Sequence, residues 1–76
     1  MHPSKLIQQI KELRISNKLS QQELATLAQV PFATINRLEN GKANPTLETL
    51  SKILAVFGYE LTIQRETQAK EDRSNE

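Results

Sequence analysis

Residues 19–41 read LSQQELATLAQVPFATINRLENG. The segment opens on Ser20-Gln21-Gln22-Glu23, a Ser-x-x-Glu capping box in which the serine oxygen accepts from the third backbone N–H while the glutamate reaches back. Leu24, Leu27 and Ala28 then recur at helical spacing, which predicts an inward stripe on a short helix. Pro31 cannot continue that helix but can start a new one, so Gln29-Val30-Pro31 reads as a brief connection. Ile35 and Leu38 face inward on the next helix, and Asn40-Gly41 is the left-handed kind of ending that glycine permits. Two short helices joined by a tight turn, with polar groups outward on the second, make a helix-turn-helix.

The flanks extend the pattern. Leu6, Ile10 and Leu13, with Ile7 alongside, predict a first helix from about Lys5 to Ile15, capped by Ser4 and ended by Ser16-Asn17-Lys18. Thr46 caps a fourth helix whose stripe is Leu47, Leu50, Ile53, Leu54 and Phe57, ended by Gly58. Then the period changes: Tyr59, Leu61 and Ile63 alternate with Glu60, Thr62 and Gln64, a strand pattern. A lone strand among helices has no partner for its backbone donors and acceptors within its own chain. Pairing with the same strand of a second copy under two-fold symmetry supplies one and buries Tyr59, Leu61 and Ile63. The alternative is that the segment packs back on the first helix. Residues 65–76 contain one small apolar residue, Ala69, and are expected to be disordered in isolation.

Seventy-six residues make at most one small domain, which needs help to be very stable. There is no cysteine, and the single histidine, His2, sits beside the terminus, so disulfide, metal and cofactor are not expected as that help; a second subunit is. Residues 1–58 carry seven Lys/Arg against four Glu, a net +3, whereas residues 59–76 carry three basic against five acidic groups, a net −2. A mildly basic body with an acidic tail fits nucleic-acid binding. The first residues lack a charged-then-apolar secretion pattern and the apolar runs fall far short of a membrane span, so a cytoplasmic protein without membrane contact is expected. No catalytic residue is assigned. The chain offers no nucleophilic cysteine, no histidine base and no Gly-rich phosphate loop, and Glu12, Glu23, Glu39 and Glu48 fall on separate helices.

Leu19 to Ala25, then Ala28, Val30, Thr34-Ile35, Glu39-Asn40-Gly41 and Pro45-Thr46-Leu47-Glu48-Thr49-Leu50, in this order and spacing, resemble the Xre/Cro-type helix-turn-helix family over roughly residues 5–58. The resemblance implies an all-α, compact four- to five-helix repressor-like domain. It also implies that double-stranded DNA, as an inverted-repeat operator, is the partner. Gln21 would set its amide and nearby N–H groups against a phosphate. Phe32, Ala33 and Asn36 occupy the family's base-facing positions. Asn36 can offer donor and acceptor together to adenine, and Phe32 and Ala33 can pack on thymine methyls. Arg37 and Lys42 suit phosphates, and Thr34 lies within reach of backbone or base. Arg14 and Glu39 hold positions that pair in this family, so a structural salt bridge stands against a phosphate contact for Arg14. Phe32 likewise has a rival reading as a core or partner-facing aromatic. Lys5, Lys11, Lys18 and Lys52 read as solvated surface.

Two positions depart from the family pattern. Gln29 stands where the turn usually has glycine, at a cost of roughly 1 kcal/mol or more if it is left-handed. Pro31 replaces the usual Ser or Thr cap of the recognition helix, losing about 1 kcal/mol that the preset φ of proline partly offsets. The ending Phe57-Gly58-Tyr59-Glu60-Leu61-Thr62-Ile63 resembles the HipB-type antitoxins, whose terminal strands pair across a dimer and which bind a kinase-like toxin and repress their own operon. The organisation expected is residues 1–58 as the DNA-binding domain, 59–64 as a dimerising strand and 65–76 as a polar tail. Three functions stand: a repressor of the antitoxin kind, a stand-alone phage or plasmid regulator, and a helix-turn-helix used only for protein interaction.

Overall fold

A computed structural model describes residues 3–62. Four helices follow one another: α1 (Pro3–Ser16), α2 (Gln21–Ala28), α3 (Phe32–Glu39) and α4 (Leu47–Val56). α2 packs against both α3 and α4, and α1 closes on α3. Ile10, Leu24, Ile35, Leu38 and Ile53 are the largest side chains sealed in the centre, joined there by Ala25, Ala28, Leu50 and Leu54. Leu6, Ile7, Val30, Val56 and Phe57 pack around this cluster.

Most of the expected boundaries hold because they are set locally. Ser20 caps α2 and Thr46 caps α4, each accepting from the N–H three residues on, and the Pro31 cap of α3 has no side-chain bond. α1 begins at Pro3, so Ser4 lies inside the helix instead of capping it. This shift is within the one or two residues by which helix ends vary.

Two inward assignments are corrected. Leu27 is 58% exposed and Ala25 takes its place in the core. Positions 24, 25 and 28 form a helical stripe as good as 24, 27 and 28, and packing against α3 and α4 selects the former. Leu47, placed in the α4 stripe, is 75% exposed, because it is the first residue of α4 and stands beyond the end of the core.

Among the described residues there is no strand. Residues 59–62 are irregular, Tyr59 and Leu61 are exposed, and Ile63 lies outside the described residues. Tyr59 borders an open groove of about 560 Å³ lined also by Leu6, Ile10 and Leu13 of α1 and by Leu54 of α4. No helix among the described residues is long and apolar enough to cross a membrane.

Candidate nucleic-acid interface

The α2–α3 pair is held from both ends. At its start the capping box is complete: the Glu23 N–H donates to Ser20 Oγ at 2.9 Å and the Ser20 N–H donates to Glu23 Oε1 at 2.7 Å. This fixes Gln21 as the first residue of α2, where backbone N–H groups have no intrahelical acceptor. At the turn Gln29 takes φ 60° and ψ 44°, the left-handed conformation its position suggested. The Val30 N–H then donates to the Ala25 carbonyl at 3.0 Å, which turns the chain into α3.

Behind the outer face runs a chain of polar side chains. Arg14 donates from Nε to Glu39 Oε2 at 2.7 Å and from Nη2 to Glu39 Oε1 at 3.0 Å, a two-point pair between α1 and α3. Its Nη1 donates to the Leu19 carbonyl at 2.7 Å, so the guanidinium also pins the α1–α2 link. Gln21 Nε2 donates to Glu39 Oε1 at 3.0 Å, and Asn36 Nδ2 donates to Gln21 Oε1 at 3.0 Å. Asn40 Nδ2 ends the chain on Asn36 Oδ1 at 3.3 Å. The Glu39 side chain is 2% exposed and that of Arg14 13%. Burial pushes the Glu39 carboxyl up. Hydrogen bonds from Arg14 and Gln21, with the positive charges of Arg14 and Lys11, outweigh it and hold the group below its ordinary value.

The sequence-derived residues thus divide. Gln21 and Asn36 come together within the polar chain, and both are half-buried. Phe32, Ala33 and Arg37 lie exposed on α3, with Phe32 45% accessible, and Thr34 is half-buried beside them. Arg37 Nη2 donates to the Lys42 carbonyl at 3.1 Å, which draws these two cations to the same end of α3. Asn40 was missed by the sequence reading, although its spacing of four residues from Asn36 is the signal that pairs side chains along a helix. Phe32 is not a core residue.

Electrostatically the face is one-sided. Glu39 is the single acidic residue of α3, and Arg14 covers it, while Arg37 and Lys42 stand exposed. An apolar ring and small residues on one short helix, with Arg37 uncovered on it and Lys42 uncovered just beyond its end, are suited to contact with a polyanion carrying apolar and hydrogen-bonding edges. Among the described residues no group of three or more His, Cys, Asp or Glu is placed to hold a metal ion.

A helix-turn-helix family pattern matches residues 10–64. The chain is 47% identical over 57 residues to an uncharacterized HTH-type transcriptional regulator of Haemophilus influenzae, covering 71% of this chain and 58% of that protein. It is 35% identical over 54 residues to the HTH-type transcriptional regulator DdrOP3 of Deinococcus deserti, covering 71% of this chain and 42% of the relative. The uncharacterized regulator RghRB of Bacillus subtilis is 42% identical over 51 residues, covering 66% of this chain and 37% of its own. The chain therefore spans about half the length of the curated relatives it matches. A solved structure named "MDT Protein" superposes with a TM-score of 0.73 at 34% identity, covering 86% of this chain and 92% of the other.

Proposed function

The chain belongs to the helix-turn-helix family, and from that membership we propose that it is a sequence-specific DNA-binding transcriptional repressor that acts as a two-fold dimer on an inverted-repeat operator. The observation that carries this reading is the outer face of α3. Its one carboxylate is neutralised and buried by Arg14, leaving Phe32, Ala33, Arg37 and nearby Lys42 open. The N-terminal part of α3 enters the major groove, where Phe32 and Ala33 meet thymine methyl groups. Gln21 and the free N–H groups at the start of α2 meet a phosphate, Lys42 meets another, and Thr34 meets backbone or base. The names of the relatives, all transcriptional regulators, support a DNA-binding role over an enzymatic one.

The dimer is built on residues 59–64. Support comes from the alternation of apolar residues there, from the exposure of Tyr59 and Leu61, and from the open groove beside Tyr59. The finer proposal is an antitoxin that autoregulates its operon and binds a kinase-like toxin, and it rests on the layout of helix α4 followed directly by that segment.

Selection of duplexes from a random DNA library at moderate salt, followed by a salt titration, tests the reading. Enrichment of an inverted repeat, with affinity falling steeply as salt rises, is the expected result. Absence of enrichment by folded protein would leave a protein-interaction module instead. Co-purification of a larger kinase-like subunit from the native host is expected for the antitoxin. A dimer that represses alone would be a stand-alone regulator.

A further inference from the structure

We propose that Arg37 is the side chain that reads a base and that the base is guanine, while Asn36 is a positioning residue that ties the recognition helix to α2. The proposal rests on the DNA reading above and assigns roles within that surface, exchanging those that the side-chain types alone suggest.

Asn36 is engaged at both ends of its amide. Its Nδ2 donates to Gln21 Oε1 at 3.0 Å and its Oδ1 accepts from Asn40 Nδ2 at 3.3 Å. Through Gln21 the chain continues to Glu39 and ends on the Arg14 ion pair. Reading adenine takes an amide N–H and the amide oxygen together. Each of these atoms already holds one bond of a chain anchored on a carboxylate that is 2% exposed, so the protein orients the amide and leaves only its second N–H and second lone pair for another partner. Its hydrogen bonds fix the distance between α2, which is set on a phosphate, and α3, which is set in the groove. That is a framing task.

Arg37 has no such tie. At about 100° per residue, Ala33 points away from the Ile35 and Leu38 side of α3, with Asn36 and Arg37 on its two flanks. The Asn36 flank is the one joined to Gln21; the Arg37 flank is exposed. Among the described residues no carboxylate pairs with Arg37, and its recorded bond is an exposed one to the Lys42 carbonyl. Helical side chains lean toward the N-terminus, so Arg37, on leaving the exposed Lys42 carbonyl, can extend over the small methyl of Ala33, toward the end of α3 that enters the groove. Its rigid fork of donors matches the two acceptors, O6 and N7, that only guanine presents side by side in the major groove. Lys42, a compact cation outside the helix, remains for a phosphate.

The experiment puts the 76-residue chain, Arg37→Gln and Asn36→Ala, each checked for helicity and melting, through duplex selection. The wild type is expected to enrich half-sites with one fixed guanine. Arg37→Gln should lose the preference at that position alone, by roughly ten- to a hundredfold, and Asn36→Ala should keep the consensus at evenly weaker affinity. Replacing the guanine by 7-deazaguanine removes the N7 acceptor and should weaken the wild type but not Arg37→Gln. Should Asn36→Ala fail to fold, that comparison decides by itself. The proposal is overturned if Arg37→Gln keeps the consensus, if Asn36→Ala loses a single base position, or if 7-deazaguanine affects both proteins alike. Enrichment without any guanine dependence removes this proposal only; a wild type that enriches nothing removes the DNA reading beneath it as well.

Discussion

Each of the four helices is followed within two positions by a residue with positive φ: Lys18 at 60°, Gln29 at 60°, Gly41 at 72° and Gly58 at 85°. In every case the next N–H reaches back to the last turn, with Leu19 to Arg14, Val30 to Ala25, Lys42 to Arg37 and Tyr59 to Leu54 at 2.8–3.1 Å. Two of the four positions carry a side chain, where the left-handed region costs about 1–2 kcal/mol. Gln29→Gly relieves that cost but adds freedom to the unfolded chain, so a net gain of about 0.5–1 kcal/mol is expected in urea denaturation. Glu39 supplies a second residue-scale prediction. Its carboxyl is held below its ordinary value, so it contributes stability above the unfolded pKa of about 4.3, and that contribution is lost as pH falls through the lower folded value. Thermal melts should show the wild type losing stability below about pH 4 more steeply than Glu39→Gln. At neutral pH Glu39→Ala strands a nearly buried Arg14 and should cost about 3 kcal/mol or more, since a charge without its partner keeps its desolvation penalty.

The helices themselves are too short to persist alone, so each depends on its cap and its buried stripe. α2 spans Gln21–Ala28, and its capping box holds both the first turn and the approach of Gln21 to Glu39. Ser20→Ala is expected to cost about 1 kcal/mol in chemical denaturation. It should also weaken DNA binding beyond what the loss of folded protein explains. A loss of stability with DNA affinity per folded molecule unchanged would show that the cap serves the helix alone. On α4 the stripe is Leu50, Ile53 and Leu54, and Ile53 is fully enclosed. The exposed Lys52–Glu48 pair at 3.6 Å, one turn apart, adds little by comparison.

For the whole molecule the core is small, nine buried side chains in all among the described residues, which leaves little reserve for an isolated copy. If residues 59–64 pair across a two-fold axis, folding and association are linked and the melting temperature rises with protein concentration. Leu61→Lys places a charge on the apolar side of that segment. It is expected to sediment as a monomer at micromolar concentration and to lose the concentration dependence of melting. A dimer that survives the substitution would show that the copies meet elsewhere, or that the segment lies on α1.

Local chemistry alone set the helix-turn-helix here: the capping box at Ser20 and Glu23, the Thr46 cap, the break at Pro31 and the left-handed exits at Gln29 and Gly41 were all legible. Each depends on bonds between residues within about five positions, so neighbours in sequence suffice to determine it. Arg14 with Glu39 was legible too, through the family pattern that the chain resembles. What the tertiary structure decided lies at longer range. It chose Ala25 over Leu27 for the core, because two helical stripes of equal regularity differ only in what packs against them. It also joined Gln21 to Asn36 and Glu39 across 15 and 18 residues, so that two side chains which look like DNA contacts also belong to one hydrogen-bonded frame. Residue type tells which bonds a side chain can form, and only the crossing of the helices tells which of them are already formed.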